Sequence, residues 1–360
     1  MKLRENWNAR GRHKERIANL GWRHILAYGL HRGATRSRGA QPQGIDEFVA
    51  HRQPASFLTQ HRRPKQMMAR PALVLESLPS TAILVQGPVV SASDFTLETL
   101  RWYRLAFPET HVIYSTWDSL TQEVRQRVSD LGVDLVLSAR PQDPGPANIN
   151  LQVVSVGEGL VRARTIGAQF VLRTRADQRM YSPSALSLLH SMYRQFPAGG
   201  SLAPNIGRIV TLSLDTFRYR IYGLSDQFHF GRLSDLERLW SHHTEARLDV
   251  ESQLARTEPV GGSCDIPEVS LTSRYLKSIS WELTWTLEDW WAALRDVFLV
   301  LDASSVDLLW PKYSTLEFRW RRYGSPSPLE ELTFSDWMII KAGGRLSCST
   351  PIDLGQDPGS

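Results

Sequence analysis

From residue 71 onward, short runs rich in β-branched residues alternate with amphipathic runs of helix length, and no other feature narrows the fold as far. The segments "ALVLES", "TAILVQGP", "HVIYSTWD", "VDLVLS" and "QFVLRT" have the length and composition of strands. Between them, "SDFTLETLRWYRLAF" carries Leu97, Leu100, Arg101 and Arg104 at helical spacing, with Ser93 or Asp94 as N-cap. "SLTQEVRQRVSDLG" predicts a helix ending at Gly132, and "NLQVVSVGEGLVRARTIG" predicts another. Strands and helices in this order predict a mainly parallel sheet with right-handed crossovers. "RIVTLSLDTF" and "DQFHFG" are further strand candidates, and helices are expected at about 233–242, 268–277 and 287–296. No internal repeat is visible.

Parallel strands end on one shared edge, where such sheets bind ligands. The sequence places Gln86, Gly87 and Pro88 after the first core strand, and Ser115, Thr116, Trp117 and Asp118 after the second. Ser138, Ala139, Arg140 and the loop "PQDPGPANIN" follow the third. The fourth ends in Arg173, Arg175, Asp177, Gln178 and Arg179, and three arginines around one carboxylate suit an anionic ligand. There is no GxxxxGK[ST] loop, and the one tight glycine pair, Gly157 and Gly159, falls inside an expected helix rather than after a strand. A GxSxG elbow is absent, and the adjacent His242 and His243 would lie on different helix faces, which disfavours a shared metal. An anion-binding sheet edge without a Gly-rich loop is how nucleotide-sugar glycosyltransferases are built. Their acidic motif after the fourth strand holds a divalent cation and the donor diphosphate, neutralising charge on the leaving group.

With 360 residues, 42% of them hydrophobic, the chain has room for two domains or one large α/β unit. No run approaches the ~18 apolar residues of a spanning helix, since "VFLVLDASSVDLLW" is interrupted by Asp302 and Asp307. No secretory signal pattern is found, and Cys264 and Cys348 are too few for a disulfide framework or a thiolate metal site. A cytoplasmic protein, peripheral on the inner membrane at most, is expected. Residues 1–70 hold 15 Lys and Arg against 4 Asp and Glu, a net +11 that leaves −6 for the rest of a chain totalling +5. Within this stretch, "HRGATRSRGAQPQG" lacks periodicity and suits disorder, while "HKERIANLGWRHILAYGL" sets Trp22, Ile25, Leu26 and Leu30 beside Lys14, Arg16 and Arg23. Two readings stand: a helix lying on an anionic membrane surface, or a solvated tail interrupted by Gly21 and Gly29. No nucleic acid is expected as a partner, because one short basic tail on an acidic body is weak support for it.

The segments "AILVQGPVV", "DFTLETLRWYRLAFPETHVIYSTWD", "GPANINLQVVSVGEGLVRA", "FVLRTRADQRMY", "YGLSDQFHFG", "WTLEDWWAALRDVFLVLD" and "DLLWPKY" together resemble the WavE lipopolysaccharide synthesis family, over roughly residues 78–315. The resemblance implies a GT-A-like Rossmannoid fold and transfer of a sugar from a nucleotide-sugar donor to a lipopolysaccharide core or a related lipid-linked glycan. It divides the chain into a basic tail at 1–70, a glycosyltransferase domain at 71–320 and a C-terminal extension at 321–360. Within the domain, 71–181 would be the nucleotide-binding half and 182–320 a helical, Trp-rich acceptor half.

Asp177 stands where the acidic motif of a glycosyltransferase would be, as the expected ligand for Mn²⁺ or Mg²⁺, but it lacks the usual second carboxylate. Arg173, Arg175 and Arg179 could instead neutralise the diphosphate directly, with Arg173 and Arg175 on one strand face. The competing reading of Asp177 is a salt bridge that fixes the loop. Gln86, Gly87, Pro88, Thr116, Asp118 and Gln178 complete the expected donor site. A base for the acceptor hydroxyl is expected at Asp226 or Glu268, although Glu268, after Pro267, also suits a helix start. Glu288 and Asp289 are assigned to a helix whose Trp290, Leu294 and Val297 face the core. Trp281, Trp285, Trp290, Trp291, Trp310 and Trp320 could stack on sugars, with packing the stronger reading for each. A sugar nucleotidyltransferase would need a Gly-rich loop with Arg and Lys that "LVQGPVVSASD" lacks, and a non-catalytic glycan-binding or scaffold protein is the other alternative.

Overall fold

The computed structural model describes residue 63 and residues 78–199, 202–241, 267–311 and 331–346. The chain divides into two units at Pro64, and all of these residues except Arg63 belong to the second. The first expected strand, "ALVLES", the His242–His243 pair, both cysteines, Trp320 and the basic tail lie outside the described residues, as does most of the C-terminal extension.

Strands β1 (Thr81–Gln86), β2 (His111–Trp117), β3 (Asp134–Ser138) and β4 (Phe170–Arg175) are parallel, with β1 between β2 and β4. The expected alternation holds: α1 (Phe95–Ala106), α2 (Gln122–Asp130) and α3 (Ile149–Thr165) connect them. The sheet then extends through β7 (His229–Arg232), β6 (Ile209–Leu212) and β8 (Phe298–Leu301). β7 is antiparallel to both β4 and β6, while β6 and β8 are parallel, so six of the seven strands run one way. A separate antiparallel pair joins β5 (Arg179–Met180) to β9 (Leu308–Leu309).

Every residue of β1 is buried, which accounts for its nearly continuous apolar run. α3 approaches β1 closely at Gly159, where an added Cβ would stand 2.3 Å from Leu84 Cδ1. Capping follows local chemistry at α2 and α7 (Leu287–Asp296), where the Thr121 and Thr286 hydroxyls accept from Val124 and Asp289 main-chain N–H groups. At α1 the expected cap is not formed: Asp94 occupies the N-cap in a left-handed conformation and makes no capping bond, pairing instead with Arg127 at 3.0 Å. The remaining helices among the described residues are α4 (Ala185–Gln195), α5 (Leu233–Trp240), α6 (Pro267–Ser278) and α8 (Phe334–Lys341). Trp290, Leu294 and Val297 are fully buried, as the sequence predicts.

Candidate active site

The carboxyl ends of β1 to β4 form one edge. At the end of β1, Gly87 takes φ +123°, a conformation that favours glycine, and its N–H donates to Ser115 O at 3.1 Å. Tyr114, whose hydroxyl burial pushes up to about 12, donates to Gly87 O at 3.2 Å. Pro88 and Asp118 are exposed on this edge, whereas Gln86 and Thr116 are buried beneath it. Asp118 meets its neighbours through the backbone, donating to Ser138 O at 3.0 Å and accepting from Arg125.

Strand alternation puts Arg173 and Arg175 on one face, but depth separates their roles. Arg173 is fully buried, and its guanidinium donates to Gln86 Oε1 at 2.7 Å, to Gln152 Oε1 at 2.9 Å and to the Asp226 carbonyl. Burial lowers it to about 9, and it lies 4.6 Å from the Trp240 ring centroid. Gln178 and Arg179 are also buried. Arg179 bonds Thr99 Oγ1 at 2.9 Å, Tyr181 Oη at 3.1 Å and Phe95 O at 3.0 Å, tying β5 to α1. Arg173, Gln178 and Arg179 lie in the floor of the edge, with both guanidinium groups bonded to internal partners, and Arg175 and Asp177 stand nearer the solvent.

Arg175 and Asp177 stand higher, with side chains 23% and 25% exposed. The guanidinium grips the carboxylate with two bonds, Nε to Oδ1 at 2.8 Å and Nη2 to Oδ2 at 3.1 Å. Trp310, delivered by β9, donates Nε1–H to Oδ2 at 3.1 Å and places its ring 5.4 Å from the Arg175 guanidinium. Burial opposes ionisation of Asp177, yet the Arg175 hydrogen bonds and charge, with the Trp310 bond, hold its carboxyl below the usual aspartate range. These donors do not fit a divalent cation. Asp177 already accepts three hydrogen bonds beside a guanidinium, and no group of three His, Cys, Asp or Glu that could hold a metal occurs among the described residues. A cation would have to displace Arg175.

In the loop before β7, Asp226 is 3% exposed, accepting at Oδ2 from Gln152 Nε2 (2.6 Å) and at Oδ1 from Gln227 Nε2 (2.5 Å). Glu268, second residue of α6, lies within its field: burial, then the charge of Asp226, push its carboxyl up to about 7 against the pull of Arg220. The tertiary structure thus brings Glu268 under the charge of a carboxylate 42 positions away in sequence. Asp289 is occupied elsewhere, accepting from Tyr222 Oη, Trp281 Nε1 (3.0 Å) and the Thr284 N–H (3.1 Å). Trp281, Trp285 and Trp291 pack against the core, which agrees with the packing reading.

Sequence reasoning did not name Gln152, and it named Trp310 only among the aromatics that pack or stack on sugars, not as a partner of Asp177. Gln152 carried a usable signal, being an amide in the first turn of a helix that follows a strand at the ligand edge. Trp310 carried none beyond its type, because only the two-residue pairing of β5 with β9 brings it to Asp177.

This is an α/β protein with a mainly parallel seven-stranded sheet whose carboxyl edge gathers the half-buried Arg175–Asp177 pair and the buried Asp226 carboxylate. The chain belongs to the WavE lipopolysaccharide synthesis family, whose model matches residues 81–269, more than half of its length. Comparison with curated proteins gives no match. Among solved structures, glucosyl-3-phosphoglycerate synthase from Mycobacterium tuberculosis, in complex with Mn²⁺, UDP and glucosyl-3-phosphoglycerate, is 9% identical with TM-score 0.37, over 75% of this chain and 82% of that one. A cytidylyltransferase from Leptospira borgpetersenii is 14% identical with TM-score 0.35, over 74% of this chain and 95% of that one. A glycosyltransferase involved in glycosylation of the major capsid of PBCV-1 is 12% identical with TM-score 0.34, over 66% and 98%. Likeness at this distance carries no argument about chemistry.

Proposed function

We propose that the chain is a glycosyltransferase that moves a sugar from a nucleotide-sugar donor to a lipopolysaccharide core or related surface glycan. Membership of a lipopolysaccharide synthesis family supports the pathway. The observation that carries the reaction is the buried Asp226 carboxylate, held by Gln152 and Gln227 beside the donor-side arginine, with Glu268 pushed up to about 7 by burial and by the charge of Asp226. A general base is most effective when its proton affinity lies near the working pH, and Glu268 meets that condition. In this reading Arg175 faces the donor diphosphate and stabilises the departing charge, with Asp177 and Trp310 setting its direction. Glu268 takes the proton of the acceptor hydroxyl as that oxygen attacks the anomeric carbon, and inversion follows.

The test is turnover of UDP-hexoses and GDP-mannose with lipopolysaccharide-core acceptors, as a function of pH. Transfer should rise through about pH 7 as Glu268 loses its proton, and Glu268→Gln should be ~100-fold slower with donor KM preserved. Full activity in Glu268→Gln and Asp226→Asn would remove both as the base. Among the described residues no helix is long and apolar enough to cross a membrane. Action on a lipid-linked acceptor at the inner face of a membrane is part of this proposal, with the basic tail as the surface contact.

A further inference from the structure

The donor and acceptor sides of the edge are joined by one amide. Gln152 stands in the first turn of α3, with Oε1 2.9 Å from Arg173 Nη2 and Nε2 2.6 Å from Asp226 Oδ2. Its orientation is unambiguous, because a guanidinium only donates and a carboxylate only accepts. Arg173 is anchored in turn by Gln86, whose Nε2 donates to Ser155 Oγ at 2.8 Å on the same helix. Arg173, Gln86 and Asp226 are buried and the half-buried Gln152 closes the network over them, so a lost partner there leaves a buried polar group unpaired.

The environment of Asp226 differs from that of Asp177. Asp177 is held by a guanidinium, whereas both oxygens of Asp226 are held by neutral amides, from Gln152 and Gln227. The charged groups around the pair are Arg173 from β4, Glu268 from α6, and Arg220 and Asp215 from the segment before β7. An amide at 152 fixes the carboxylate without adding a countercharge that would weaken its influence on Glu268. We propose that Gln152 is a positioning residue that holds the Asp226 carboxylate in register with Glu268 and ties it to the buried arginine of the donor side. The inference deepens the glycosyltransferase reading and rests on it for its kinetic consequence, though not for its electrostatic one.

Two near-isosteric variants test it. Gln152→Met removes both hydrogen bonds at similar volume, and Gln152→Glu sets a carboxylate against Asp226. Turnover of UDP-hexoses and GDP-mannose should fall about 10- to 100-fold in kcat in both, with donor KM within about twofold. In Gln152→Glu the Glu268 titration, followed by carboxyl ¹³C NMR and assigned by its loss in Glu268→Gln, should move up by about one pH unit. If both variants keep wild-type kcat and Gln152→Glu leaves that titration in place, Gln152 is a packing residue and the proposal is wrong. If the wild type turns over no sugar nucleotide, the glycosyltransferase reading fails, while the titration still decides the role of Gln152. Should Gln152→Glu not fold, the kcat-to-KM split in Gln152→Met decides alone.

Discussion

Arg175 and Arg173 lie two positions apart on one strand face, yet one reaches the surface and the other is buried completely, so they cannot answer alike to mutation. Arg175→Ala should abolish stabilisation by UDP and UDP-hexoses in thermal-shift assays, a loss on the order of 1.5 to 3 kcal/mol in binding, with the ligand-free Tm within a few degrees of wild type. Asp177→Asn should lose less, since it loosens the arginine without removing it. Unchanged nucleotide affinity in Arg175→Ala would overturn the donor assignment. The cluster around Asp177 was legible in the sequence because charges rarely crowd a strand end. Its depth was not legible: alternation gives the side of a strand, while burial depends on what packs over it, here Trp240 and the loop carrying Asp226. The Asp226–Glu268 pair was named from residue type alone, and only folding couples the two.

Among the elements, α3 was legible as a helix despite Gly157 and Gly159, and the structure separates those glycines. A Cβ on Gly159 would meet Leu84, a fully buried residue of β1, at 2.3 Å, whereas nothing lies within 4 Å of one on Gly157. Gly159→Ala should therefore cost roughly 1–3 kcal/mol through overpacking. Gly157→Ala should stabilise by up to ~1 kcal/mol through helix propensity. Equal effects of the two in urea unfolding would show that α3 does not seat on β1 as described. The long elements β1, β2, β4, α1 and α3 could be read because each spans enough residues to display a period. β5 and β9 have two residues each and β8 has four, too few to carry one, and these are the elements that position Trp310 and complete the sheet.

At the scale of the whole molecule, charge is the property the sequence states most plainly: +11 in residues 1–70 and −6 in the remainder. If that tail meets an anionic leaflet, the full-length protein should sediment with phosphatidylglycerol vesicles at low salt, release as salt rises, and ignore phosphatidylcholine vesicles. Deleting residues 1–70 should remove sedimentation and leave nucleotide-sugar binding intact. No sedimentation of the full-length protein at low salt would refute a surface role. By itself the sequence determined the α/β alternation, the shared edge of strand ends and the identities of the charged residues there, because hydrophobic period and strand-end chemistry are local properties of the chain. Only the tertiary structure decided which arginine faces out, that β7 enters the sheet antiparallel, and that Gln152 joins Arg173 to Asp226. Those outcomes depend on contacts between segments tens to more than a hundred positions apart, whose burial and mutual charge no local pattern encodes.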